Sequence, residues 1–177
     1  MLVFCVCIGI GQGFMPVAGY NYGAKKFDRV RKAFRFTLIT DTIIMILLAV
    51  SIFIFAPSVI GIFRADDAKV IEIGTAAMRA QCVAMPFMAT TIVANSLLQS
   101  VGKSIPATIL SCCRQGLFFI PLILILPKVW NLTGIEYSQA ISDALTFLIS
   151  VPFLIWFFKN LKKENILLLY FAQSYFN

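Results

Sequence analysis

The chain has no histidine and little charge: Asp, Glu, Lys and Arg make up 13% of its 177 residues, against 60% hydrophobic ones. Without imidazole there is no histidine general base, no His-ligated metal and no Ser–His or Cys–His nucleophile pair. A soluble domain carries roughly twice this charged share, so a water-soluble fold of this length has too little polar surface to enclose so much apolar material. The five cysteines (Cys5, Cys7, Cys82, Cys112, Cys113) form no CxxC pair and sit in apolar runs, which reads as small buried hydrophobes rather than metal or disulfide chemistry. No Lys or Arg precedes the apolar stretch 1–11, so a signal peptide does not fit. Gly102-Lys103-Ser104 imitates the end of a P-loop, but Leu97 stands where that motif needs its first glycine, which excludes an ATPase site. No catalytic residue, metal or cofactor emerges, and an enzyme is not expected.

What is present is a series of long apolar runs. A membrane-spanning helix needs about 20 mostly apolar residues. Five runs qualify, at about 1–20, 36–56, 75–98, 105–126 and 140–158, with Pro57 and Pro127 expected to close the second and fourth. The expected fold class is all-α integral membrane, with residues 164–177 a short apolar tail that has no assigned place. Net charge is +7, and ten of the fifteen basic residues fall in three stretches. Lys25, Lys26, Arg29, Arg31, Lys32 and Arg35 lie between spans one and two; Lys103 lies between three and four; Lys159, Lys162 and Lys163 follow span five. Basic residues placed between apolar runs mark cytoplasmic loops, not a nucleic-acid surface. Arg64, Lys69 and Lys128 sit with Asp66, Asp67, Glu72 and Glu136 on the other side. The positive-inside rule then puts the N-terminus outside and the segment after the last span in the cytoplasm of a multi-pass cell-membrane protein. A first span that enters from outside without a flank implies at least one helix upstream.

Polar groups inside spans are costly and usually face a bundle interior or a cavity. Gln81, Met85, Met88, Ile92, Asn95 and Gln99 recur at steps of four and three on one face of span three. Amides and adaptable thioethers in one stripe suit a cavity for varied organic ligands, and equally suit ordinary hydrogen bonding between helices. Pro86 is expected to bend that helix. Span five repeats the pattern with Gln139, Asp143, Thr146 and Ser150. Asp41, Arg114 and Asp143 are intramembrane charges, and Arg114 is expected either in a functional site or in a buried pair with Asp41 or Asp143. Gly9/Gly13 and Gly19/Gly23 form GxxxG spacings, and Ala76, Ala80 and Ala84 a small-residue row, all read as close helix packing.

The string from Gly9 to Lys26, GIGQGFMPVAGYNYGAKK, followed by Arg29-Val30, resembles the C-terminal half of multidrug and toxic compound extrusion (MATE) transporters. Gln99-Ser-Val-Gly-Lys-Ser104 and Arg114-Gln-Gly-Leu-Phe-Phe-Ile-Pro121 are similar to the same family, more weakly. The resemblance covers about Gly9 to Lys163. It implies helices eight to twelve of a twelve-helix, two-lobed transporter that exports organic, cationic or amphipathic drug-like substrates, driven by a proton or sodium gradient. It also implies a missing N-terminal lobe, with Gln12, Gln81, Met85, Met88, Asn95 and Gln99 lining this lobe's share of the cavity. Sodium-coupled members carry an acid in the middle of helix ten, and the stretch Met85 to Gln99 has none. The coupling site therefore falls outside this chain, and the chain by itself is expected to be inactive. The alternative is a small membrane scaffold or subunit that pairs with a separate transmembrane chain.

Overall fold

The computed structural model describes residues 2–63 and 68–175, with side chains at 3–58, 60, 73–114, 116–128, 134 and 137–161. The order is α1 (Leu2–Gly23), α2 (Phe27–Phe63), α3 (Ala68–Ser100), α4 (Ser104–Cys112), a π-helical turn (Cys113–Leu117) and α5 (Phe119–Tyr175). Among the described residues there is no strand. Among the described residues, four stretches are long and apolar enough to cross a bilayer: Val3–Gly23, Phe27–Ser58, Ile73–Ser100 and Tyr137–Leu161. The segment expected as a single span over 105–126 is instead α4, the π turn and the apolar start of α5, Phe119–Lys128.

Of the two prolines expected to close spans, Pro57 does not, whereas Pro127 stands where the chain turns back. Pro57 does not end α2, which continues to Phe63. A proline deletes one ladder hydrogen bond, and a helix held by its neighbours survives that loss. Pro127 also lies inside a helical run, α5, but the chain changes direction there. In a straight helix residues 126 and 134 would stand about 12 Å apart along the axis. Instead Gly134 is pressed against the Leu126 carbonyl and the Pro127 nitrogen, where no Cβ would fit. Further along, the Ser142 hydroxyl donates to the Arg114 carbonyl at 2.8 Å, so the second arm of α5 runs back beside the π turn. The tail belongs to this element: α5 extends to Tyr175, while the side chains of 162–175 and residues 176–177 lie outside the described residues. Arg64, Asp66 and Asp67 also lie outside them.

Two turns of one design join the helices at one end of the bundle. After α3, Lys103 N–H donates to the Leu98 carbonyl and Gly102 N–H to that of Gln99, with Gly102 at φ 73°. This is a Schellman cap, which needs a left-handed residue and usually recruits glycine. It accounts for the Gly102-Lys103-Ser104 string as a helix stop. After α1 the same pattern recurs, Lys26 N–H to the Asn21 carbonyl and Lys25 N–H to that of Tyr22, with Lys25 at φ 56°. The connection is only Ala24 to Lys26, so Arg29, Arg31, Lys32 and Arg35, expected in a loop, lie on the first turns of α2.

The core has α3 at its centre. From Met88 to Leu98 every side chain except Thr90 and Asn95 is buried. One cluster, with Phe14, Ala18, Phe34, Val93, Leu97 and Phe157 among its members, sits at the end carrying the two turns. A second, including Cys7, Met45, Cys82, Met85 and Met88, lies toward the other end. By contrast α2 presents Ile39, Ile43, Ile46, Leu47 and Val50 outward, a face that lipid tolerates and water does not. Cys7, Cys82 and Cys113 are buried as expected, but Cys5 and Cys112 are exposed; all five are free thiols.

The glycine expectation needs a correction. Gly9, Gly13 and Gly23 have open space around their missing side chains. The buried face of α1 instead runs through Cys7, Gly11, Phe14 and Ala18. A Cβ on Gly11 would meet Ser96 Oγ at 2.6 Å, and one on Gly19 the Ser100 carbonyl oxygen at 3.0 Å. Spacing alone does not give the phase of a helix, and here packing against α3 selected Gly11 and Gly19. Gly19→Val is expected to push α1 off α3 at a cost of about 1–3 kcal/mol. Gly13→Val is expected to cost no more than a few tenths of that. Thermal unfolding of the purified chain in detergent compares the two, and equal losses would show that this contact is not tight.

Candidate functional site

The polar stripe of α3 faces two adjoining cavities. One, of about 230 Å³, is lined by Gln12 of α1, Asn95 and Gln99 of α3, Ser111 of α4 and Arg114 of the π turn. The other, of about 390 Å³, is lined by Gln81, Met85 and Met88 of α3, Gln139 and Asp143 of α5, and again Arg114. Phe4 of α1 lines both. All six residues expected to line a cavity therefore do face one, but as two groups of three on either side of Arg114.

Arg114 lies about 15 Å along the helical path from Ser104, well inside the apolar part of the bundle. Its Nε donates to Asp143 Oδ1 at 2.9 Å, with the two side chains 12% and 1% exposed. Of the two partners expected for Arg114, Asp143 is the one it takes. Gln81 Nε2 donates to the other Asp143 oxygen at 3.2 Å, and Gln139 Nε2 approaches Oδ1 at 3.5 Å. The guanidinium carbon stands 4.6 Å from the centre of the Phe4 ring, a cation–π contact that sequence spacing gave no means of finding. Hydrogen bonding to Asp143 thus draws on α3, the π turn and α5 together.

The π turn makes this geometry possible. Phe118 N–H donates to the Cys113 carbonyl, five residues back, instead of to that of Arg114. The Ser142 hydroxyl caps the Arg114 carbonyl from the second arm of α5. Pro121 supplies no N–H to the turn before it, so one ladder hydrogen bond is lost just beyond the π turn. Bulges of this kind re-aim one side chain inside an otherwise regular helix and concentrate at functional sites. Thr146 and Ser150, expected on the polar face of α5, are buried and donate within their own helix, to Ser142 and Phe147 carbonyls.

Asp41 does not pair with Arg114. It is fully buried between α1 and α2, where the Cys7 thiol donates to its Oδ2 at 2.9 Å; its Oδ1 has no partner among the described residues. It lines neither cavity. Among the described residues no group of His, Cys, Asp and Glu is arranged to hold a metal ion.

Breaking a buried ion pair from one side leaves an uncompensated charge and costs about 3–5 kcal/mol, whereas removing both charges is close to neutral. Arg114→Met and Asp143→Leu are each expected to destabilise the chain strongly, and the double variant to recover most of that loss. A double-mutant cycle on thermal unfolding measures the coupling, and additive losses would show that the pair does not hold the π turn to α5.

A family model described as MatE matches residues 1–125. The multidrug export protein MepA of Staphylococcus aureus (strain N315) is 24% identical over 140 residues, covering 79% of this chain and 30% of the relative. MepA of Staphylococcus saprophyticus subsp. saprophyticus (strain ATCC 15305) matches to the same extent, so the chain spans about a third of the curated relatives' length. Among solved structures, the MATE multidrug transporter DinF-BH, determined as a complex, is 35% identical with a TM-score of 0.76, covering 88% of this chain and 34% of that one. An inward-facing and an outward-facing MATE family transporter, 18% and 19% identical, superpose with TM-scores of 0.83 and 0.84, each over 92% of this chain and 38% and 37% of theirs. The chain belongs to the MATE family of multidrug transporters.

Proposed function

We propose that the chain forms most of the C-terminal lobe of a cation-coupled multidrug efflux transporter, with residues 1–163 as the lobe's transmembrane part. The observation that carries this is the cleft along α3, where amides and thioethers face open volume in the middle of an apolar bundle. A cavity of this size and mixed lining accepts organic molecules with few fixed contacts. Gln12, Asn95 and Gln99 on one side of Arg114, and Gln81, Met85 and Met88 on the other, would contact cationic or amphipathic drug-like substrates. Arg114 and Asp143 would hold the cleft in shape. An N-terminal lobe would close it and complete the path.

The coupling ion would be a proton or sodium. Alternating access would come from rocking one bundle against the other around a site near the midplane. The equal match to inward- and outward-facing relatives fits a lobe that keeps its internal packing while the lobes move. The α1–α2 turn, the α3–α4 turn and Lys159 carry basic residues at one end of the bundle, and we place that end in the cytoplasm of a cell-membrane protein.

With about a third of a relative's length present, the 177 residues alone are expected not to transport. Expressed in efflux-deficient cells, they should leave sensitivity to cationic dyes and drugs unchanged. Joined in frame to the N-terminal lobe of a MATE relative, they should restore resistance, and Gln81→Leu should then alter the range of drugs exported. Resistance conferred by the chain alone would overturn this reading.

A further inference from the structure

A third cavity lies away from the cleft, on the outside of the bundle. At the end carrying the α1–α2 turn, α2 and the second arm of α5 leave a groove of about 440 Å³. Its lining is apolar, Phe34 from α2 and Val151, Leu154, Ile155 and Phe158 from α5, until it reaches Lys159. The Phe34 and Phe158 rings meet edge to face at 5.2 Å and form its floor. The guanidinium carbon of Arg31 stands 5.8 Å from the centre of the Phe158 ring, so a second cation sits at the same mouth. Among the described residues the one ion pair is Arg114 with Asp143, so neither Arg31 nor Lys159 has a carboxylate partner there. In sequence, Asp28 lies one turn before Arg31 and is exposed, while Glu164, five residues after Lys159, has its side chain outside the described residues.

These features call for an occupant with two chemistries. From Val151 to Lys159 the groove follows α5 for about 12 Å. That is most of one leaflet of a hydrocarbon core about 30 Å thick. Its open side faces the medium that also meets Ile155, which is 52% exposed. An apolar trough open to lipid takes an acyl chain. Two cations at its mouth, with no acidic partner among the described residues, take a negative headgroup, and basic residues near an anionic leaflet each add measurably to binding. We propose that this groove binds one anionic phospholipid, its acyl chain along Phe34, Leu154 and Phe158 and its phosphate between Arg31 and Lys159. The site is separate from the α3 cleft, and its occupation does not depend on the chain exporting anything.

The test uses the purified 177-residue chain and native mass spectrometry, with phosphatidylglycerol and phosphatidylcholine as probes. Wild type should retain one phosphatidylglycerol in preference to phosphatidylcholine. R31Q/K159Q should weaken phosphatidylglycerol retention by about thirtyfold, roughly fivefold for each cation. Leu154→Trp, which fills the trough and leaves both cations, should also lose it. Arg29→Gln with Lys32→Gln, exposed cations outside the groove, should retain it. Unchanged helical circular dichroism shows that each variant is folded. Equal retention of the two lipids by wild type would overturn the proposal. So would retention by R31Q/K159Q, or an equal loss in the Arg29/Lys32 control, which would assign the effect to diffuse loop charge.

Discussion

A guanidinium placed among apolar helices must find a counter-charge, and much of the structure's arrangement follows from how Arg114 finds one. The desolvation cost of an isolated ion in such a setting exceeds what a single packing contact returns. Arg114 meets Asp143 only because the chain folds back at Pro127 and brings the second arm of α5 beside the π turn. Asp143 in turn accepts from Gln81, which ties α3 to the same point. Residues from three parts of the chain, up to 62 positions apart, thus converge on one carboxylate.

This convergence also shapes the empty space. Arg114 and Phe4 stand between the two cavities, so the polar stripe of α3 lines two compartments rather than one. The charge that holds the helices together is the same charge that partitions the cleft. Asp41 shows the contrast: enclosed between α1 and α2 with a thiol donor, it takes no part in the cleft.

The membrane character, the approximate position of the apolar runs and the basic end of the bundle were legible in composition and periodicity, because they depend on sums over many residues. The α3 stripe was legible too, since a helix has one period and the polar positions kept to it. Boundaries were less so. Pro57 sits within α2 and the basic residues expected in a loop extend that helix, because neighbouring helices hold backbone that local signals would release. The glycine spacings misled for a related reason: several of them satisfy a motif, and only contact with Ser96 and Ser100 shows that Gly11 and Gly19 are the ones packed.

By itself the sequence determined that this protein must live in a bilayer, which residue types line its polar face, and which end is basic. All three are properties of one helix at a time, or of the chain's overall hydrophobicity. Only the tertiary structure decided that Arg114 pairs with Asp143 and not Asp41, that α5 is a hairpin, and that the stripe opens onto two cavities. Those outcomes depend on distances between residues far apart in the chain, and pairing across helices is set by how they pack, which no single helical period encodes.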